Sequence, residues 1–323
     1  MKKISVLVPC FNEDENVVPL TDELVKIFEG ELSSYGYEIV FIDNSSADNT
    51  KPLLREICGK NKKVKAIFNA KNFGHSNSLY YGMCQTSGDC VILFSADFQD
   101  PPELIPTLVR EWEAGHKIVS CIKTKSRENK LMRLLRTCYY KVIKKMSEVE
   151  QIEHFTGFGL YDRSFIEILK GLRDPTPFLR GIVAELGCHR KEVCYEQQKR
   201  KAGKTKYSWY ALYDLAMLSF TSYTKAGLRL ATIVGFITGG ITFLVSMAYL
   251  VYKLLYWDYF SVGMAPMVIG VFFLGSVQLF FIGFIGEYII AINTRLRLMN
   301  RPLVIEEERV NFEPPEISSD SVK

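Results

Sequence analysis

Two stretches without a single charged side chain, 230–252 and 260–286, constrain this 323-residue chain more than any other feature. Each is long enough to cross the roughly 30 Å apolar core of a bilayer as a helix. Both lie far from the N terminus, and Met1-Lys-Lys runs straight into the apolar "ISVLVPC", so no secretion signal is expected ahead of the first domain. Lys225 and Arg229 precede the first stretch, and Arg295, Arg297 and Arg301 follow the second. Between them, Tyr256, Trp257 and Tyr259 sit beside one Lys and one Asp. Positive flanks mark the cytosolic side and aromatic residues the far interface, so both ends of the hairpin are expected in the cytosol of a plasma (inner) membrane. The expected organisation is a cytosolic domain over 1–207, an interfacial segment over 208–227, and a transmembrane hairpin over 228–293 with spans about 230–252 and 265–289. A cytosolic tail over 294–323 follows, and its acidic, Pro- and Ser-containing part from Glu306 is expected to be disordered.

The charges point to partners. The net charge of +4 matters less than two clusters: nine Lys or Arg against one Glu in 123–145, and seven against two acids in 190–206. Beside a membrane hairpin, such clusters favour anionic lipid or phosphate over nucleic acid. Leu131, Leu134, Leu135, Tyr139, Val142, Ile143 and Met146 recur at helical spacing, which predicts an amphipathic helix with a cationic face. Eight cysteines show no CxxC and no metal-like pairing with four histidines, as expected of reduced thiols in a cytosolic domain.

Over the first 120 residues, buried strands alternate with helices: "ISVLVPC", a helix over 13–30, "YEIVFID", a helix over 49–59, "VKAIFNA", a helix over 76–86, "DCVILFS", and a helix over 101–114. This order predicts an α/β fold on a mostly parallel sheet, in which ligands bind at the carboxyl ends of the strands. Those ends read "PCFNEDE", "DNSSADNT", "NAKNFGH" and "SADFQDPPE", rich in carboxylates, amides and glycine, and together they predict a binding cleft. Asp97 and Gln99 share one loop and could donate two oxygens to one divalent cation; the same loop could equally be a strand end with solvated acids. Asp43 could anchor a base or ribose, whereas Asn12 could line the pocket or cap the following helix. Asp100 and Glu103 are expected to serve the N terminus of the next helix. No GxGxxG or GxxxxGK[ST] is present, so a diphosphate would have to be held by metal and side chains.

Seven motifs occur in order: "VPCFNEDENV" at 8–17, "YEIVFIDNSSADNT" at 37–50, "NFGHSNSLYYGM" at 72–83, "GDCVILFSADFQDPPELIPTLV" at 88–109, "HFTGFGLYDR" at 154–163, "FLRGI" at 178–182 and "RKAGKTKYS" at 200–208. With them the chain resembles glycosyltransferase family 2, the GT-A fold, and within it the membrane-anchored polyprenyl-phosphate glycosyltransferases of the bactoprenol glucosyltransferase and dolichol-phosphate mannosyltransferase type. The resemblance implies inverting sugar transfer from a nucleotide sugar, with UDP as the expected nucleotide, to a polyprenyl phosphate for cell-envelope glycan modification. It implies that Pro9, Asn12, Glu13, Glu15, Asp43, Asn44 and Ser95 line the nucleotide-sugar pocket, with Asn72, Phe73 and Gly74 shaping its floor. Asp97 and Gln99 would hold Mg²⁺ or Mn²⁺, and Arg180 would close over the phosphates as a catalytic group with them. Arg127, Lys130, Arg133, Arg136, Arg200, Lys204, Lys206 and Tyr207 would meet the acceptor phosphate and its lipid. The resemblance further implies a homotetramer.

The chain departs from that resemblance at two places. Asp-x-Asp is expected where Ser95-Ala96-Asp97 stands, and Asp-Gly-Ser where Asn44-Ser45-Ser46 stands. Two carboxylates have become neutral, which implies weaker metal affinity, a different donor or lost activity. The surviving Asp97, Gln99, Glu13 and acceptor-side motifs favour an active, metal-dependent hexosyltransferase; the alternative is a catalytically impaired membrane scaffold on a transferase fold.

Overall fold

The apolar run "KISVLVPC" builds the central strand β1 (Lys3–Cys10), and Ile4 through Val8 are completely buried. Such burial fits a strand covered on both faces. A computed structural model of the protein describes residues 1–125, 152, 155–172, 174–186, 190–198, 226–255, 264–299 and 301–312. Strands β2 (Gly36–Asp43), β3 (Val64–Asn69) and β4 (Cys90–Leu93) follow the same apolar logic. They are joined by α1 (Val17–Glu29), α2 (Thr50–Lys60) and α3 (His75–Gln85). β1 pairs in parallel with β2 and β4, and β2 with β3. All four strand ends therefore open on one rim.

The second half extends this sheet. A short 3₁₀ turn (Pro102–Leu104) leads into α4 (Ile105–Glu113), then β5 (Ile118–Lys125), β6 (Phe155–Asp162), α5 (Arg163–Leu172), α6 (Leu179–Glu185) and β7 (Arg190–Glu196). After the long helices α7 (Ala226–Leu255) and α8 (Met264–Leu298), the chain returns as β8 (Glu306–Val310). The sheet order is β7-β5-β6-β4-β1-β2-β3-β8. It is mostly parallel, with β6 antiparallel to β4 and β5, and β8 antiparallel to β3. One face of the core joins Leu20, Leu24 and Phe28 of α1 to Val6, Val8, Ile39 and Phe41 of the sheet. Each such fully buried side chain contributes roughly 1.5–3 kcal/mol.

Three boundaries differ from expectation. The first helix starts at Val17 rather than residue 13, because Asn12 turns with φ of 52° and the Glu13 carbonyl accepts from the Asn16 and Val17 amides in a tight bend. β4 ends at Leu93, where the chain bends into the loop that carries Asp97. Within the tail expected to be disordered from Glu306, Glu306–Val310 forms β8. Its acids are matched by α2: Glu307 pairs with Lys51 at 3.0 Å and Glu308 with Arg55 at 2.7 Å. Asn311 closes the strand by donating to the carbonyls of Cys58 and Val64 at 2.7 and 2.8 Å. Residues 313–323 lie outside the described residues.

The chain divides into two units: Met1–Arg136 with Gln151–Lys206 and Leu298–Lys323, and Thr137–Glu150 with Tyr207–Arg297. In the second unit, α7 exposes Phe236, Ile237 and Leu244, and α8 exposes Leu279 and Ile282. Among the described residues one segment, Val277–Leu298, is long and apolar enough to cross a membrane, with a mean hydropathy of 1.5 over 22 residues. It begins later than the expected span over 265–289. Cys10, Cys58, Cys84, Cys90, Cys121 and Cys194 are free thiols.

Candidate functional site

At the rim, the β1 and β2 ends are stitched together by short polar side chains. The Asn12 amide N–H donates to Ser46 Oγ at 2.7 Å, and Asn12 Oδ1 accepts from the Ala47 N–H at 2.8 Å. Ser46 in turn gives its N–H (3.0 Å) and its hydroxyl to the two oxygens of Asp43. Asp43 has no exposed surface, and burial pushes its carboxyl above the usual carboxylate value. Through Ser46 it shapes the loop from beneath. Asn12 and Ser45 both adopt left-handed φ angles, 52° and 65°, a cost tolerated where a site needs a sharp turn.

Glu13 is held by the same stitching: its N–H donates to Thr50 Oγ1 at 2.8 Å, and its Oε2 accepts from Asn16 Nδ2 at 2.7 Å. Pro9 is half-buried opposite Ile42 in the ladder. Glu15 is exposed and lines a groove with Asp14, Asn49, Pro52, Leu53 and Glu56, between the start of α1 and α2.

The β3 end carries a chain of amides. Asn44 Oδ1 accepts from the Phe73 N–H (2.9 Å) and from Asn69 Nδ2 (3.1 Å), while Asn44 Nδ2 donates to Asn72 Oδ1 (2.8 Å). Asn72 Oδ1 also accepts from the Gly74 N–H at 2.9 Å. Gly74 stands at φ of 88°, which glycine reaches without steric cost, and His75 then opens α3.

The β4 end is organised by a carboxylate. Asp100, nearly fully buried, accepts from the Ser95 hydroxyl at 2.7 Å and from the Tyr195 hydroxyl of β7 at 2.6 Å. Burial raises its pKa, and the two hydroxyl donors oppose that rise. The expected helix-capping role of Asp100 is thereby corrected: the turn that follows has no side-chain cap, and only Glu103 stands in its first turn. Ser95 is committed to Asp100. Asp97 Oδ1 accepts from the Gln99 N–H at 3.2 Å, Phe98 between them takes φ of 56°, and Gln198 N–H holds the Gln99 carbonyl at 3.0 Å.

His75 feels the charges of both Asp97 and Arg180. His75 keeps an exposed surface at the start of α3. Desolvation by the protein around it, and then the Arg180 guanidinium, hold its pKa below the ordinary imidazole value, while the Asp97 carboxylate works the other way. Arg180 itself rests on the Phe178 ring at 5.2 Å. The acceptor-side residues Arg127, Lys130, Arg133, Arg136, Arg200, Lys204, Lys206 and Tyr207 lie outside the described residues.

Among the described residues there is no cluster of three His, Cys, Asp or Glu side chains able to hold a metal. Both Asp100 oxygens are engaged; Asp97, whose Oδ1 also accepts from the Gln99 N–H, and the Gln99 amide are the other carboxylate and amide oxygens of this loop. Such a partial shell fits a hard divalent cation that takes its remaining ligands from water and substrate phosphates. Sequence reasoning missed Ser46, Asn69 and Tyr195. Ser46 was open to discovery, since a serine three residues after Asp43 is a turn signature; no sequence signal near Tyr195 points 95 residues back to Asp100.

The mostly parallel sheet with helices between its strands is a GT-A-like α/β fold. Residues 5–169 match the family described as glycosyl transferase family 2, and the chain belongs to that family. It is 34% identical over 288 residues to a bactoprenol glucosyl transferase of Shigella phage SfX, covering 89% of this chain and 93% of that one. The SfII prophage-derived bactoprenol glucosyl transferase of Shigella flexneri is 34% identical, with 94% and 97% covered. The putative glycosyltransferase CsbB of Bacillus subtilis is 31% identical, with 97% and 94% covered.

Proposed function

We propose that this glycosyltransferase moves a sugar from a UDP-sugar to a membrane polyprenyl phosphate with inversion at the anomeric carbon. The observation that carries the reading is the parallel pairing of β1, β2, β3 and β4, which opens their polar carboxyl ends on one rim. The printed names of two relatives, bactoprenol glucosyl transferases, supply the acceptor class. An oxygen of the acceptor phosphate forms the new bond to the anomeric carbon as the bond to the diphosphate oxygen breaks. A phosphate monoester with a second pKa of about 6 is already anionic at neutral pH, so no strong general base is needed. Catalysis then rests on alignment and on stabilising the leaving diphosphate. Arg180 would meet that charge. Mg²⁺ or Mn²⁺, held by Asp97 and Gln99, would neutralise the diphosphate when bound.

In this reading α7 and α8 are the two spans of a membrane hairpin, and residues 1–207 are a cytosolic domain. Their exposed Phe236, Leu244, Leu279 and Ile282 suit a lipid environment. The basic residues Arg127, Lys130, Arg133, Arg136, Arg200, Lys204 and Lys206, with Tyr207, bring in the lipid phosphate, and four copies assemble. The commitment of Ser95 to Asp100 leaves a single carboxylate on the loop, which favours a second reading, an impaired transferase acting as a membrane scaffold.

The purified full chain, undecaprenyl phosphate and a panel of labelled UDP- and GDP-sugars, with Mn²⁺ or EDTA, separate the two. Metal-dependent glycolipid from one donor supports transfer. No glycolipid from any donor, with no nucleotide bound in calorimetry, leaves the scaffold.

A further inference from the structure

We infer that Asn44 is a positioning residue: both ends of its amide set the 72–75 loop, and only a side chain that accepts and donates can do so. The inference rests on the reading of this rim as the donor cleft. The polarity of the network is fixed by the backbone, because amide orientation is otherwise interchangeable. The Phe73 N–H can only donate, so Asn44 must turn its oxygen to it; the Gly74 N–H likewise claims the Asn72 oxygen. Asn44 Nδ2 must then meet Asn72 Oδ1, as it does at 2.8 Å. Flipping either amide strands a backbone donor.

The chain of contacts continues inward. Asn69, fully buried on β3, donates to Asn44 Oδ1 at 3.1 Å and to Ser78 Oγ of α3 at 3.0 Å. Its own Oδ1 has no hydrogen-bond partner. A buried acceptor left unmade is costly, so Asn69 keeps its donor side toward Asn44 despite that loss. Three amides thus tie the β2 end, the β3 end and the start of α3, and Gly74 at φ of 88° passes directly into His75. An aspartate at 44 has the same shape but would set two acceptor oxygens face to face across the Asn72 contact. The effect is local to the loop that carries Phe73, Gly74 and His75.

The test is Asn44→Asp in the full chain, alone and with Asn72→Ser. A serine hydroxyl at 72 can accept from the Gly74 N–H and donate to a carboxylate at 44. Amide hydrogen exchange over 72–75 should quicken about tenfold in Asn44→Asp, and donor KM should rise about tenfold with kcat within about twofold. Both should return toward wild type in the double variant. Folding of the double variant but not of Asn44→Asp also supports the inference. Unchanged exchange in Asn44→Asp, or no recovery in the double variant, overturns it. Should the wild-type chain transfer no sugar, the functional reading fails by itself, and hydrogen exchange still decides the network.

Discussion

The two ends of the same central strands solve the problem of buried polar groups in opposite ways. At the starting end, Glu38 of β2 accepts from Ser5 Oγ (2.6 Å) and the Ser87 N–H (2.7 Å), and pairs with Lys3 and Lys65, both at 2.8 Å. Burial alone would push its carboxyl up, but these four donors hold it well below the usual range. Gly88 makes room for the cluster, since a Cβ there would come within 2.6 Å of Ser5 Oγ. At the finishing end, Asp43 and Asp100 are pushed up instead, and Asn12, Ser45 and Phe98 sit in left-handed conformations. One end stabilises the sheet; the other holds groups in states they would not choose, as functional sites do.

The comparison breaks if substitutions at the two ends have the same consequences. The largest expected effect is from Asp97→Ala, which should lower transfer by about a thousandfold, in the range of other losses of transition-state charge stabilisation. Because Asp97 is itself largely buried, a fall in melting temperature should accompany that loss, smaller than the fall in Glu38→Gln. Glu38→Gln should act on stability rather than transfer. Leaving Lys3 and Lys65 without their buried partner should cost about 3 kcal/mol in urea unfolding, with donor KM unchanged.

Tyr195→Phe should have a smaller effect, costing about 1–2 kcal/mol by removing one of two hydroxyl donors to a buried carboxylate, with a loss of kcat as the 95–100 loop loosens. The smallest effect sharpens the contrast through pH. Glu38 has a depressed folded pKa, so its contribution is complete above about 4.5 and is lost as pH falls below that value. Asp100 has a raised folded pKa, so its contribution is present below about 3.8 and is lost as pH rises through the folded value. Glu38→Gln should flatten the acid limb of stability against pH, and Asp100→Asn the limb above 3.8.

How much of this was legible in the sequence follows the same division. Continuous apolar runs such as "ISVLVPC" and "YEIVFID" specify buried parallel strands directly, and polar strand ends specify a rim. The fates of individual rim residues are not local properties. Asp43 reads as a ligand-facing acid but is buried under Ser46, and Asp100 reads as a helix cap but belongs to Tyr195, 95 positions away. β8 was hidden for a related reason: "EEERV" has the composition of a solvated tail, and its pairing with β3 and its ion pairs to Lys51 and Arg55 of α2 come from distant parts of the chain. Asn44 and Ser95 looked like lost carboxylates. In the fold each is a donor to a fixed acceptor, Asn72 Oδ1 and Asp100 Oδ2.

The central claim is that this rim is a working donor site whose charge is supplied at Asp97. Calorimetric titration of UDP into the full chain, with and without Mn²⁺, for wild type, Asp97→Ala and Glu38→Gln, tests it most directly. The account predicts Mn²⁺-dependent binding to wild type and Glu38→Gln, lost in Asp97→Ala. Binding to Asp97→Ala as tight as to wild type, or no binding to any of the three, would contradict it.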